Sequence, residues 1–161
     1  MPIDYLLEID GVQGESKDSK HPNAIDALSF SWGALNSGSA GSGSGAGAGK
    51  VRFNEVHISA TVNRASPILF RACADGQHFK KARLIVRKQG DVQQEYYVVD
   101  FEDVLVSMYR AGNGSLHGSL PIDSFSLDFA KVTFQYHPQN NNGGLDPAIT
   151  TGWDLKQNKK K

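Results

Sequence analysis

Hydrophobic and polar residues alternate along much of the chain, which is the pattern of β-strands with one buried face. In the first such segment, apolar side chains occupy positions 3, 5, 7 and 9, with Asp4 and Glu8 among the polar positions between them. In the next, Leu28, Phe30 and Trp32 alternate with serines. Further strands are predicted over 51–62, 79–89, 93–110 and 124–137. The chain is therefore predicted to be mainly β.

Three of the long strands share an irregularity, because their apolar positions change parity partway along. The changes follow Phe53, Phe101 and Phe129. A one-residue shift turns every later side chain to the opposite face unless a β-bulge absorbs it. Three such shifts favour bent strands in a closed barrel or in tightly packed sheets over a flat sheet. Alternatively, some strands are apolar on both faces because one face packs on another subunit.

One α-helix is predicted, over about 66–75, flanking the barrel. We expect Ser66 to cap its N-terminus, Pro67 to occupy the first helical position and Gly76 to lie just past its end. Apolar residues at 68, 69, 72 and 73 form a stripe at helical spacing. Cys73 lies on that stripe and is expected to be a packed thiol rather than a nucleophile.

Three segments are predicted to lie outside the main strands. Residues 10–23 form a long ordered loop. Residues 36–49 are rich in glycine and serine, and they form either a flexible surface loop or a loop that orders only against a neighbouring molecule. Residues 139–161 form a polar C-terminal tail, in which Trp153 and Leu155 are expected to make a short strand or anchor that docks on the rest.

Two neighbouring strands carry opposite charges. The first has Lys80, Lys81, Arg83, Arg87 and Lys88, and the second has Glu95, Asp100, Glu102 and Asp103. One interpretation is that these charges pair across the two strands. The other is that the segregated charge orients a repeated contact between subunits.

Composition excludes several classes of protein. The 161 residues suit a single domain over 1–161, and 39% of them are hydrophobic, enough for a core. The 17 basic and 17 acidic residues balance, which gives no support to a nucleic-acid partner. One cysteine cannot form a disulfide within the chain. No apolar run of membrane-spanning length and no signal-peptide pattern is present, so we expect no membrane insertion.

A search for catalytic and cofactor motifs gives no positive signal. The five histidines lack the spacing of a local metal clip. The sequence before Gly49 and Lys50 departs from a phosphate-binding loop, because Ser44 and Val51 stand where glycine and a hydroxyl residue are required. Ser115 and His117 lack the glycine spacing of a nucleophile elbow. We therefore predict no enzyme activity, no metal and no cofactor.

A series of short motifs, in order along nearly the whole chain, resembles the haemolysin-coregulated protein (Hcp) family, the tube protein of the bacterial type VI secretion system. The first motif is Gly14, Glu15, Ser16, Lys17 and Asp18, preceded by the sequence IDGV at 9–12. The others are SFSWG at 29–33, GKV at 49–51, SPIL at 66–69, FSL at 125–127, KV at 131–132, YHPQ at 136–139, GWDL at 152–155 and NK at 158–159. Their order and spacing carry the resemblance.

The resemblance implies a small β-barrel of two sheets with one helix, in agreement with the pattern above. It also implies that six copies form a ring with a central channel and that rings stack into a tube. A contractile sheath would surround this tube in the bacterial cytoplasm and expel it, tipped by a trimeric spike protein, without a signal peptide. The tube would carry effectors in its lumen.

Two loops are given roles on this basis. The loop 37–49 is expected to reach toward an adjacent ring, through Ser37, Gly38, Gly41, Gly43, Gly45, Gly47 and Gly49. The motif 14–18 is expected to order a loop near a subunit contact, without a catalytic role. The main alternatives are an effector-binding carrier or chaperone and a phage-like tail tube subunit. An enzyme is a further alternative, and loss of activity on changing Ser115 or His117 would test it.

Overall fold

The computed structural model describes residues 3–38, 51–90, 92–113 and 119–161, which form nine strands and one helix. The elements are β1 (Ile3–Ile9), β2 (Ile25–Asn36), β3 (Val51–Thr61), α1 (Ser66–Asp75), β4 (His78–Lys88), β5 (Gln94–Gly112), β6 (Ile122–Asp128), β7 (Lys131–Tyr136), β8 (Ile149–Asp154) and β9 (Lys159–Lys160). The prediction of a mainly β fold with one helix is confirmed.

The sheet closes on itself. Its strand order is β4-β1-β2-β3-β6-β5-β7-β8-β9, and β4 also pairs with β5, so six strands form a closed circuit. Every pairing in it is antiparallel. The strands β7, β8 and β9 continue from β5 outside this circuit, and we call these three strands the wing. This closure agrees with the barrel-like arrangement that the bent strands predict.

The long strand β5 connects the closed circuit to the wing. One edge pairs with β6 through 105–112 and with β7 through 97–102, while the other edge pairs with β4. The expected single strand over 124–137 is therefore wrong, because the chain breaks at 129–130 between β6 and β7. Opposite this break, Asp103 has a left-handed backbone with φ of 55°. The sheet divides here, since β6 pairs onward with β3 and β7 with β8.

The parity change in β3 coincides with a β-bulge. Ser31 lies opposite His57, whereas Gly33 lies opposite Asn54, so three residues of β3 match two of β2. Because of this bulge, the apolar side chains of β3 face the interior both before and after the parity change. In the core that results, Val56, Ile58, Phe101, Phe125 and Leu127 are almost fully buried.

The outer face of β1 and β4 is also apolar in part, and a loop of the same chain covers it. Leu6 and Ile85 form a second buried cluster with Ala24, which ends the loop 10–24. All residues of this loop are described, with Gly14 and Ser16 buried. Apolar residues on both faces of β4 are thus accounted for within one chain, without a partner subunit.

The helix lies where it was predicted, but Ser66 does not cap it. Ala65 occupies the N-cap position, and no side chain makes a capping hydrogen bond. The Ser66 hydroxyl is buried and instead donates to the carboxylate of Asp123. Asp123 also accepts from the Tyr109 hydroxyl at 2.7 Å, and burial together with this contact raises the pKa of Tyr109 to about 12. Gly76 closes the helix in the left-handed conformation, as predicted.

The C-terminal tail docks on β7, as expected for Trp153 and Leu155. Trp153 in β8 lies opposite Val132, and the backbone N–H of Leu155 donates to Ala130 O at 2.8 Å. The tail is therefore part of the sheet rather than a separate solvated end. Among the described residues, the single helix of ten residues falls well short of what crossing a bilayer requires.

Candidate self-association surfaces

The motif 14–18 lies against the start of β2 through backbone contacts. Gly14 N donates to Asn23 O at 2.7 Å, Ser16 N donates to Ala24 O at 3.0 Å, and Asn23 N donates to Ser16 O at 2.8 Å. A Cβ atom on Gly14 would lie 2.5 Å from Ala24 O. This close approach of two backbone segments explains why glycine is required at position 14.

Asp18 anchors the same loop to β4. Its carboxylate accepts from the backbone N–H groups of Lys20 and His21 at 3.0 and 2.9 Å. The Arg87 guanidinium donates to both oxygens of Asp18, at 2.5 and 3.0 Å, and to Asp4 at 3.1 Å. Arg87 is only 3% exposed. Its hydrogen bonds lower the pKa of the Asp18 carboxyl to about 2, against the opposing effect of desolvation.

His21 ties the loop to two further strands. Its Nδ1 lies 3.0 Å from a carboxylate oxygen of Glu8 in β1, and its Nε2 contacts Glu95 in β5. Together with Arg87, this places one loop in contact with β1, β4 and β5. Sequence reasoning singled out the motif but missed Arg87 and His21 as its partners.

The remaining charged residues of the motif face outward. Glu15 and Lys17 are both exposed. A carboxylate oxygen of Glu15 accepts from the backbone N–H of Arg64, just before α1, at 3.2 Å. The exposed part of the motif is therefore next to the helix.

Opposite charges on β4 and β5 pair within the chain. Arg83 lies opposite Asp100, and its guanidinium donates to both carboxylate oxygens at 2.7 and 3.1 Å. Lys81 lies opposite Glu102 in the same ladder. Asp100 is 7% exposed, so Arg83 compensates a nearly buried charge. The charges of Arg83 and Asp100 therefore pair across the two strands, which is the first of the two interpretations of the charge pattern.

Two groups of exposed apolar side chains lie near the helix and on the wing, and single exposed apolar residues occur elsewhere at Ile3, Leu28, Leu35 and Val92. The helix patch comprises Val62, Ile68, Phe70 and Leu120. Val62 N donates to the carbonyl of Pro121, which follows Leu120, and Phe70 is 61% exposed with only an edge contact to Tyr109. On the wing, Tyr136 and Ile149 are paired across β7 and β8 and both are exposed. Each region offers apolar area that another molecule could cover.

A third surface is rich in serine. On the outer side of β2, β3 and β6, Ser31, His57 and Ser126 form one cross-strand row. Ser29, Ser59 and Ser124 form the next. The Ser126 hydroxyl and His57 Nδ1 are 2.6 Å apart. We call these six residues the serine face, in which Ser126 is fully buried and Ser124 lies opposite the exposed Arg110 of β5.

Of the loop expected to contact an adjacent ring, Ser37 and Gly38 are described and exposed at the end of β2. The predicted positions Gly41, Gly43, Gly45, Gly47 and Gly49 lie outside the described residues. So do Ser115 and His117, the residues named for an enzyme alternative. Within the described ranges, no group of three or more metal-ligating side chains is found. Cys73 is a partly buried free thiol packed against the core.

Comparison with known proteins connects this fold to one family. The family model described as "Type VI secretion system effector, Hcp" matches residues 6–136. Protein Hcp1 of Pseudomonas aeruginosa is 37% identical over 160 residues, covering 98% of both chains.

Solved structures agree over the same length. A protein described as a type six secretion system protein superposes with a TM-score of 0.92 at 33% identity, covering 99% of this chain and 100% of the other. Hcp1 of Salmonella typhimurium superposes with a TM-score of 0.81 at 34% identity, covering 100% of both chains. The chain therefore belongs to the Hcp family, the secreted structural proteins of the type VI secretion system.

Proposed function

We propose that this chain is a structural subunit of the type VI secretion tube, in which six copies form a ring with a central channel and the rings stack. The observation that carries this proposal is the full-length agreement with Hcp1 of Pseudomonas aeruginosa, at 37% identity in sequence, and with a type six secretion system protein, at a TM-score of 0.92 in structure.

Two surfaces support ring formation. A ring of identical subunits requires that each copy use two different surfaces that complement one another. The helix patch and the apolar pair on the wing are such a combination, since each exposes apolar area on a different part of the fold. We assign the helix patch to one side of the subunit contact, with Phe70 as its exposed aromatic side chain.

The serine face supports passage of effectors through the channel. The exposed hydroxyl groups of Ser29 and Ser31 offer hydrogen bonds without a formal charge, which favours weak contacts with a passing protein. In this proposal the tube assembles in the bacterial cytoplasm inside a contractile sheath, carries a trimeric spike at its tip and is then expelled with its effectors.

The native mass of the purified protein tests the ring directly. Light scattering on a sizing column should give about six subunits, and negative-stain images of that peak should show rings. A monomer at every concentration, also in the presence of sheath and spike proteins, would contradict the proposal.

A pair of substitutions on α1 tests the helix patch. Phe70→Glu should shift the native mass toward the monomer while circular dichroism stays unchanged, because Phe70 is 61% exposed and adds little to the core. Arg71→Gln, at a highly exposed neighbouring position, is the matched control and should leave the ring intact. Retention of the six-subunit mass by Phe70→Glu would remove the helix patch from the contact.

A further inference from the structure

The loop 10–24 is attached to the sheet by a histidine whose two ring nitrogens both contact carboxylates. His21 Nδ1 lies 3.0 Å from Glu8 Oε1 in β1, and His21 Nε2 contacts a carboxylate oxygen of Glu95 in β5. The strands β1 and β5 lie on opposite sides of β4, so the ring connects two strands that do not pair with each other. The side chain of His21 is only 12% exposed, so water has little access to the ring.

This geometry constrains the protonation state of the ring. An ionised carboxylate accepts hydrogen bonds and donates none, so a ring nitrogen must carry a proton to bond to one. A neutral imidazole has a single N–H group and can donate to only one of the two glutamates, while its other nitrogen turns a lone pair toward the second carboxylate. The imidazolium ion donates to both, and both hydrogen bonds are then charge-assisted.

The side chains around the ring include more carboxylates than cations. They are Asp18 and Lys20 of the loop, Asp4 and Glu8 of β1, Asp26 of β2, Arg83 and Arg87 of β4, Glu95 of β5, and His137 and Asp146 beside the groove that Lys20 and Glu95 line. Both arginines donate to other carboxylates, Arg83 to Asp100 and Arg87 to Asp4 and Asp18. A proton on His21 therefore supplies the positive charge that Glu8 and Glu95 contact directly.

We propose that His21 is a proton-dependent clamp that fixes the loop 10–24 to the sheet. With the proton bound, the ring holds the loop to β1 and β5 together, and without the proton one of these two contacts opens. The contact of Asp18 with Arg87 does not change over the same range, because the pKa of about 2 keeps the Asp18 carboxyl ionised above pH 5. The clamp acts within one chain, so it does not rest on the proposed ring and remains testable if the ring assignment fails.

Hydrogen exchange of the loop measures the clamp in the full-length protein, in the assembly state in which it purifies. Peptides covering 10–24 are followed by mass spectrometry at about pH 5.5 to 9, with wild type and His21→Gln compared at each pH so that the chemical pH dependence of exchange cancels. Because the clamp requires the protonated ring, its protection is present at the acidic end and is lost as the pH rises. We expect wild type to exchange about 10-fold more slowly than His21→Gln at the acidic end and within about twofold of it at the alkaline end. A ratio that stays constant over this range would overturn the proposal.

Two further substitutions separate the proton from the side chain that carries it. Glu95→Gln introduces an amide that can donate to an unprotonated ring nitrogen, so the protection of the loop should no longer fall as the pH rises. His137→Gln is the matched control, because His137 Nδ1 lies 3.0 Å from the backbone carbonyl oxygen of Asp146, which a neutral ring can also bond. This control should keep the pH dependence of the wild type. Persistence of the pH dependence in Glu95→Gln, or its disappearance in His137→Gln, would assign the proton to a group other than His21 and overturn the clamp.

Discussion

Arg87 holds the loop 10–24 to the sheet at the scale of single residues. Its guanidinium is nearly buried and is shared between Asp18 of the loop and Asp4 of β1. Because removing one partner of a buried ion pair leaves a charge without compensation, this contact is more consequential for stability than the exposed pairs of the surface. Asp18, the last residue of the motif 14–18, therefore has a structural role, because it holds the loop to the sheet through Arg87.

Removing the charge of Asp18 should reveal a pH-dependent contribution to stability. Asp18→Asn is expected to lower the free energy of unfolding by about 1–2 kcal/mol near neutral pH. The folded pKa of about 2 lies below the ordinary value of 3.8, so the carboxylate stabilises the protein above about pH 4 and this contribution is lost as the pH falls toward 2.

Urea unfolding across this pH range, at one protein concentration, measures the contribution. The difference between wild type and Asp18→Asn should shrink as the pH falls. Asp10→Asn, at an exposed position of the same loop, is the control and should differ from wild type by less than about 0.5 kcal/mol. A difference that stays constant from neutral to acid pH would show that Arg87 does not act through the charge of Asp18.

Gly14 offers a second test at this scale. Gly14→Ala would place a methyl group 2.5 Å from Ala24 O, and the backbone of both segments must move, so we expect a loss of about 2 kcal/mol or more. Gly112→Ala is the matched control, because nothing lies within 4 Å of its added Cβ, and it should be nearly neutral. Thermal unfolding of the two variants measures both, and equal melting temperatures would contradict the close-approach argument.

The length and register of β5 determine how the elements are arranged. Its 19 residues extend about 60 Å, enough to pair with β7 along one half and with β6 along the other. The parity changes after Phe101 and Phe129 occur at the same level of this ladder, where β6 ends and β7 begins. A single structural event, the division of the sheet, therefore explains two irregularities that the sequence shows separately.

The pairing of β4 with β5 is tested by removing the cross-strand ion pair of Arg83 and Asp100. Arg83→Gln leaves Asp100 nearly buried without its partner, so it should cost about 1–3 kcal/mol, more than Asp100→Asn. Their double mutant should show a coupling energy of about 0.5–1 kcal/mol in urea unfolding. Strictly additive effects would mean that β4 and β5 gain nothing from this pair.

Strand positions, the helix and the docking of Trp153 could be predicted because each rests on local periodicity or on turn residues. The break at 129–130 could not, since it depends on where β5 changes its neighbour. The partnership of Asp18 with Arg87 could not either, because 69 residues separate them and only the folded sheet brings them together. The cap at Ser66 is wrong because Ala65 is the N-cap and Ser66 is already the first helical residue; its hydroxyl accepts from the Asn63 backbone N–H and donates to Asp123.

At the scale of the whole molecule, the proposed assembly requires two kinds of contact, one within a ring and one between rings. The helix patch and the wing belong to the described fold, whereas the loop 37–49 connects β2, which ends at Asn36, to β3, which begins at Val51. We propose that ring closure uses the helix patch and the wing, and that stacking uses the loop 37–49. The two contacts should then be separable by mutation.

Deletion of residues 38–48 tests this separation. We expect the deleted protein to keep the six-subunit mass and ring images. The pairing of β2 with β3, from Ala27 opposite Ala60 to Asn36 opposite Val51, does not involve the deleted residues. We also expect it to lose tube formation and secretion, since the surface that reaches the next ring is absent. A replacement loop of equal length, with its serines and glycines in a different order, controls for length and composition. Tubes of normal length from the deletion variant would show that the loop is not a stacking contact, and stacking would then have to rest on the ring faces themselves.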